Sequence, residues 1–262
     1  MRFGGSALTV APGPKRERKA TGRKHVLVQA RYDAESIRAL FDDMASTYGH
    51  INLISSFGFT ARWRHQAVAG LPLASAGCVV DLMSGMGELW RSLARTLSAS
   101  ARVVGVDISP EMARRTQRMW HFPVEVFVAD VLAWDAQSAL ADVVVSSFGL
   151  KTFDREQQRR LARTVAQLLK PGGTYSFVEI SVPPFLPLRA AFMFYLTRLI
   201  PLIGRLLLGN PDSYRMLGVY TQAFDNATHF AGCLREAGLE VVPVSYFFGC
   251  ATGVRGIKPH VA

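Results

Sequence analysis

Apolar and polar positions change period repeatedly along this chain, and the changes mark out its elements. Ile37, Leu40, Phe41 and Met44 fall at i, i+3, i+4 and i+7, which predicts an amphipathic helix over residues 33–48. Asp33 suits its N-cap and Glu35 its first turn. Residues 51–69 read as a second helical region interrupted near Gly58. From there the period alternates between two and 3.6. Short apolar runs predict strands at 78–83, 102–107, 124–129, 142–147 and 174–180. Between them, helices are expected over 87–98, 110–119 and 155–169, with a short one near 136. Asp154 and Gln157 make a capping-box start, and Lys170-Pro171-Gly172-Gly173 ends the same helix. Helix 226–237 and apolar segments at 240–248 complete the sheet, with an antiparallel pair at one edge. Strands alternating with helices imply an α/β fold, a mostly parallel sheet with helices on both faces.

Residues 182–209 break this rhythm. They are rich in Phe, Leu and Ile, and their only charges are Arg189, Arg198 and Arg205. Such a helix either packs on the core or lies on a membrane surface with its arginines snorkelling; the packed reading is preferred from pattern. No uninterrupted apolar run approaches the roughly 20 residues that span a bilayer, and the N-terminus has no secretory-type apolar region. At 262 residues and 49% hydrophobic, the chain suffices for one large domain. Three dispersed cysteines, Cys78, Cys233 and Cys250, suggest neither a disulfide framework nor a zinc site. A reducing, cytoplasmic setting follows. Of the net charge of +10, more than half lies in residues 1–24, which hold seven basic residues and one acid. Residues 1–30 therefore read as a basic, disordered tail. Without aromatic interleaving it argues for solvation or attraction to anionic lipid rather than for nucleic acid.

The most informative chemistry is at Val79-Val80-Asp81-Leu82-Met83-Ser84-Gly85-Met86-Gly87-Glu88, a buried strand entering a glycine turn. Gly85 and Gly87 let backbone approach a ligand closely. A pyrophosphate-binding turn needs a third glycine where Trp90 stands, and Glu88 adds a carboxylate beside the loop. Asp107 ends the next strand 22 residues past Gly85, the spacing at which an acid holds ribose hydroxyls. Asp130 ends the strand after that. A ribose without a phosphate is the cofactor these elements suit.

In that order, these motifs resemble the class I S-adenosylmethionine-dependent methyltransferases. Within them the chain resembles the ubiquinone/menaquinone biosynthesis C-methyltransferases over about residues 38–259. The narrowest likenesses are the opening Phe41-Asp42-x-x-Ala45-x-x-Tyr48-x-x-x-Asn52, followed by Ser56-x-Gly58 and Arg62-Trp63-Arg64, and the segment Asp212-Ser213-Tyr214-Arg215-x-Leu217. Phe148-Gly149-Leu150, Glu179-Ile180-Ser181 and the ending Gly253-Val254-Arg255-Gly256-Ile257-Lys258-Pro259 follow the same order.

The resemblance implies a Rossmann-like class I fold with a seven-stranded sheet, forming a single methyltransferase domain over 31–262. Within it, 182–225 would be an apolar insertion covering the substrate and facing a membrane. It implies S-adenosylmethionine as cofactor, held by Asp81, Ser84, Gly85 and Gly87 at the methionine end, Asp107 and Ile108 at the ribose, and Asp130 and Val131 at the adenine. Two departures stand out. The family usually has Arg-Asn, an arginine that helps take the acceptor proton through water and its supporting asparagine, where Lys151 and Thr152 stand here, and lysine loses the planar two-pronged geometry. The loop Leu82-Met83-Ser84-Gly85-Met86-Gly87 also differs from the usual Ala-Gly-Gly-Thr-Gly. Lys151 is the expected catalytic cation, with Tyr48, Arg62, Tyr214 and Arg215 as weaker candidates to close over the substrate.

The acceptor expected is a lipophilic quinol met through peripheral membrane contact, on the inner face of the membrane. Neither metal nor nucleic acid is expected. A lipid or amine N-methyltransferase of the phosphatidylethanolamine type, a tailoring enzyme for an aromatic metabolite, and an inactive scaffold of the same fold are the alternatives. The intact Asp81, Gly85, Gly87 and Asp107 argue against the last.

Overall fold

The computed structural model describes residues 32–46, 56–119, 124–207 and 211–260. The basic tail, and most of the segment joining the first two helices, lie outside it. Seven strands form one sheet: β1 (Cys78–Leu82), β2 (Arg102–Asp107), β3 (Val124–Val128), β4 (Ala141–Ser147), β5 (Leu169–Ile180), β6 (Glu240–Tyr246) and β7 (Ala251–Ile257). Their order is β3-β2-β1-β4-β5-β7-β6. The first five run parallel, while β7 enters antiparallel between β5 and β6. The apolar segment at 240–248 is thus the edge, and the inner strand comes from the chain's last residues.

Burial follows composition. Every residue of β1 is buried, and Val103, Val104 and Val106 of β2 and Val143, Val144 and Val145 of β4 are sealed from solvent. These strands are covered on both faces, as a parallel sheet requires. One face packs on Leu161, Val165, Phe177, Phe230 and Leu234, the other on Val68, Leu89, Trp90 and Leu93.

The helices are α1 (Ala34–Met44), α2 (Phe59–Val68), α3 (Trp90–Leu93), α4 (Pro110–Met119), α5 (Arg155–Leu168), α6 (Leu186–Phe194), α7 (Ile200–Leu207), α8 (Pro211–Phe224) and α9 (Thr228–Glu236). Asp33 caps α1 by accepting from the Ser36 N–H, and Asp154 and Gln157 form the full capping box of α5. The π turn Tyr195–Leu199 joins α6 to α7 just before Pro201, whose ring cannot supply the regular hydrogen bond.

Two expected helices are corrected. Residues 87–98 hold only the four residues of α3. The approach is wound by i to i+3 bonds, Gly87 N–H to Ser84 O and Trp90 N–H to Gly87 O, both 2.9 Å. The cause is Trp90, drawn inward so that its indole N–H donates to Asp81 Oδ2 at 2.8 Å. Near 136 there is no helix: Asp130 Oδ1 accepts the Leu132 N–H at 2.9 Å and starts a turn, and Trp134 folds back onto Phe127.

Candidate active site

The C-terminal ends of β1, β2, β3 and β4 surround a cleft, where the strand order reverses between β1 and β4. Chain reversal after β1 is sharp. Met83 takes a left-handed φ of 54°, and Gly85 and Gly87 follow at 58° and 76°. Room for Met83 comes from across the sheet, since a Cβ on Gly149 would fall 2.5 Å from Met83 Cβ. Gly105 serves the same end for Trp90, where a Cβ would meet the ring at 2.7 Å.

Of the residues expected to hold a cofactor, Ser84, Gly85, Asp107, Ile108, Asp130 and Val131 line this cleft. Asp81 and Gly87 do not. Asp81 lies buried beneath the loop against Trp90, and burial, with the Glu88 and Asp107 charges, raises its carboxyl well above the usual range. Gly87 closes the turn, its N–H donating to Ser84 O.

Electrostatics narrow what the cleft can hold. In a phosphate-binding loop the backbone N–H groups face the ligand. Here they are taken: Gly85 N–H donates to Asp107 Oδ2 at 2.7 Å and Met86 N–H to Glu88 Oε2 at 3.2 Å. The loop therefore presents carboxylates where a phosphate site presents donors. Ser84 Oγ and Glu88 Oε1 are buried without a hydrogen-bond partner, and both residues line the cleft. Asp107 also accepts from Ser109 N–H at 2.9 Å, yet burial pushes its carboxyl up to about 6. Unpaired oxygens and crowded acids fit a ligand with hydroxyls and positive charge.

Several lining residues carry no cofactor-binding signature in the sequence. Tyr32, Ile37 and Phe41 bring α1 over the cleft as a wall. Ser109 Oγ donates to Asp42 Oδ1 and so ties α1 to the end of β2. Gln157 and Arg160 come from α5. Arg64 is buried where Arg62, two residues away on the opposite side of α2, is exposed. Its guanidinium stacks 4.9 Å over the Phe148 ring and donates to Ser147 Oγ at 3.2 Å. The Arg-Trp-Arg spacing around a buried tryptophan was the available signal.

A second cleft lies behind Phe148, which lines both. Its other walls are apolar and aromatic, including Phe59, Trp63, Phe192 and Tyr195, and Lys151 is the only charged residue in its described lining. Lys151 sits in a short 3-10 turn, Leu150–Thr152, at the end of β4. Its ammonium donates to Glu179 Oε1 at 2.9 Å and Phe148 O at 2.6 Å, with both partners of the ion pair buried. Glu179 is fixed in turn by the N–H groups of Lys151 and Ile180. Among the weaker candidates, Arg62 and Arg215 are exposed and line neither cleft, while Tyr48 and the Tyr214 side chain lie outside what is described.

Residues 29–258 match the ubiE/COQ5 methyltransferase family. The chain belongs to this family. It is an S-adenosylmethionine-dependent methyltransferase. Similar curated relatives include a demethylmenaquinone methyltransferase of Lactiplantibacillus plantarum, 30% identical over 85% of this methyltransferase and 96% of that protein. A ubiquinone/menaquinone biosynthesis C-methyltransferase of Geobacter sulfurreducens is 28% identical over 90% and 94%. The fold is shared with the N-methyltransferase NodS of Bradyrhizobium japonicum, solved with S-adenosyl-L-homocysteine: TM-score 0.53 at 19% identity, over 77% of this chain and 88% of that one. Human N-acetylserotonin methyltransferase, solved with the methyl donor, gives 0.53 at 16% identity, over 94% and 68%.

Proposed function

We propose that this methyltransferase methylates a ring carbon of a prenylated quinol precursor in the cytoplasm. The observation that carries the reading is the apolar second cleft, which shares Phe148 with the cofactor cleft and holds Lys151 as the one charge in its described lining. When bound, the cofactor supplies an electrophilic methyl group on a sulfonium that is already a good leaving group. The chain has to place, desolvate and polarise the acceptor.

Asp107 would accept hydrogen bonds from the ribose hydroxyls, Asp130 and Val131 would meet the adenine edge, and Ser84 with Glu88 would meet the methionine end. The aromatic walls of the second cleft exclude water. Loss of the phenolic proton to solvent enriches the neighbouring ring carbon in electrons, so a cation that stabilises phenolate lowers the barrier, and after methylation the proton on that ring carbon passes to the same oxygen and restores the aromatic phenol. Lys151 has two of its three ammonium protons committed, to Glu179 and Phe148, and the third serves that phenolate. Glu179 is a positioning residue that keeps the ammonium charged in an apolar place.

The same cation opposes an ammonium acceptor, which weighs against the amine N-methyltransferase reading. With labelled cofactor, a desmethyl prenylated quinol should take label and phosphatidylethanolamine should not. Label on the amine lipid alone would reverse the reading.

A further inference from the structure

Three exposed aromatic side chains stand on backbone that ordinarily excludes them. Phe57, Phe247 and Phe248 have φ values of 50°, 44° and 53°, the left-handed region that bulky residues avoid. Phe57 is 80% exposed and Phe248 77%. Burial does not hold these rings there. They gather round one opening, because Phe57 and Phe247 also line the acceptor cleft. Phe57 lies 6.2 Å from Tyr195, Phe247 lies 4.7 Å from Phe59, and Phe248 lies 5.6 Å from Phe247.

The apolar surface continues past this rim. A Cβ on Gly249 would meet Pro184 at 2.7 Å, so the chain that leads into exposed Phe185 and Leu186 packs against the end of the Phe247-Phe248 turn. From there α6, the π turn and α7 expose Phe194, Leu199 and Leu202 together with Arg198 and Arg205. Residues 182–209 contain no acid.

We propose that this face docks on an anionic lipid bilayer, with Phe57 and the Phe247-Phe248 turn as wedges and the acceptor cleft opening on the lipid side. The lipid route of the acceptor rests on the function proposed above; the docking itself does not. Charge complementarity selects the partner: arginines set among exposed apolar residues place guanidinium groups at phosphate level while the apolar residues sink into the acyl boundary. The seven basic residues of 1–24 add attraction to the same surface.

By length and composition Leu186–Ile203 would suffice to cross a membrane. Single apolar runs interrupted by arginines did not suggest this in the sequence. The helix is nonetheless tied down along one side. Leu196 and Ile200 are buried with Met44, Met86 and Met112, and a Cβ on Gly218 would meet Thr197 at 3.0 Å. Crossing would strip those contacts, whereas lying flat keeps them.

The test is flotation of the full chain, without cofactor or acceptor, on vesicles of phosphatidylcholine alone and of phosphatidylcholine with phosphatidylglycerol. The wild type should float with the anionic vesicles, less so at high salt, and be released by alkaline carbonate. Phe248→Ser with Leu186→Ser, both outside the cleft lining, should lower the partition coefficient about tenfold or more. Arg198→Gln with Arg205→Gln should remove the preference for phosphatidylglycerol. Cofactor-dependent thermal shifts matching the wild type would show that the variants fold.

Equal flotation of folded Phe248→Ser/Leu186→Ser would overturn the proposal. So would resistance to carbonate, which means a spanning helix, or a vesicle-free dimer that the same pair dissolves, which means the face takes a second copy. Turnover of a tail-less quinol in solution reports on the methylation reading separately: its failure beside normal flotation removes the acceptor and leaves the docking.

Discussion

Asp107→Asn is the sharpest perturbation of the cofactor cleft. The wild-type carboxylate accepts from Gly85 N–H at 2.7 Å and Ser109 N–H at 2.9 Å, and burial still raises it from 3.8 to about 6. Holding it charged at neutral pH therefore costs the unliganded protein about 3 kcal/mol. The sign for stability follows. A carboxyl raised on folding contributes most below its unfolded value of 3.8 and loses that contribution as pH rises through about 6.

Cofactor binding runs the other way. On the proposed contact, ribose hydroxyls would donate to the charged form, at about 1.5–3 kcal/mol for a hydrogen bond to a charged group, so affinity should rise with pH up to about 6 and then level. In titration calorimetry the wild-type Kd for S-adenosylmethionine should be about tenfold weaker at pH 5 than at pH 7.5. Asparagine has one carbonyl for two backbone donors and must turn its amide toward one of them. Its Kd should be about 10–100-fold weaker at pH 7.5, on a loss of about 1.5–3 kcal/mol, and nearly flat with pH. A wild-type Kd independent of pH, or an Asn variant that binds as the wild type does, would refute the reasoning.

Lys151→Met should cut kcat at least about tenfold with cofactor Kd unchanged, and Lys151→Arg should restore part of it; unchanged kcat in the Met variant would remove the phenolate role. Gly149→Ala places a Cβ 2.5 Å from Met83 Cβ, so a denaturant melt should show about 1–3 kcal/mol of destabilisation, relieved by adding Met83→Gly; an unchanged midpoint would contradict the close approach. Phe248→Gly releases a left-handed aromatic at φ 53° and should raise stability by about 0.5–1 kcal/mol after the glycine entropy cost. It should weaken vesicle flotation at the same time, and a drop in stability would deny the strain.

Central strands were legible because their runs of valine and leucine are buried on both faces and bounded by turn residues. The cleft was legible where spacing along one chain sets it: Asp107 ends β2, Ser84 and Gly85 follow the end of β1 and Asp130 that of β3, and parallel strands bring their ends together. What the sequence hid depends on side-chain direction. Asp81 ends up beneath the loop because Trp90 turns inward to it, and that same turn shortens the expected helix to four residues. Lys151 was readable as a cation at a strand end, but its partner Glu179 is 28 residues away on the next strand. The wall supplied by α1 depends on Asp42 meeting Ser109, 67 residues later. Periodicity carries no record of such pairings.

Carbon methylation of a prenylated quinol is the reaction proposed for this methyltransferase. Its most direct test is to incubate the full chain with S-adenosylmethionine carrying a carbon-13 methyl and a desmethyl prenylated quinol, then to locate the label by NMR. One labelled methyl should sit on the ring carbon beside a phenolic oxygen, and it should be lost in Lys151→Met. Label on oxygen or nitrogen, or no label from an enzyme that binds its cofactor, would contradict it.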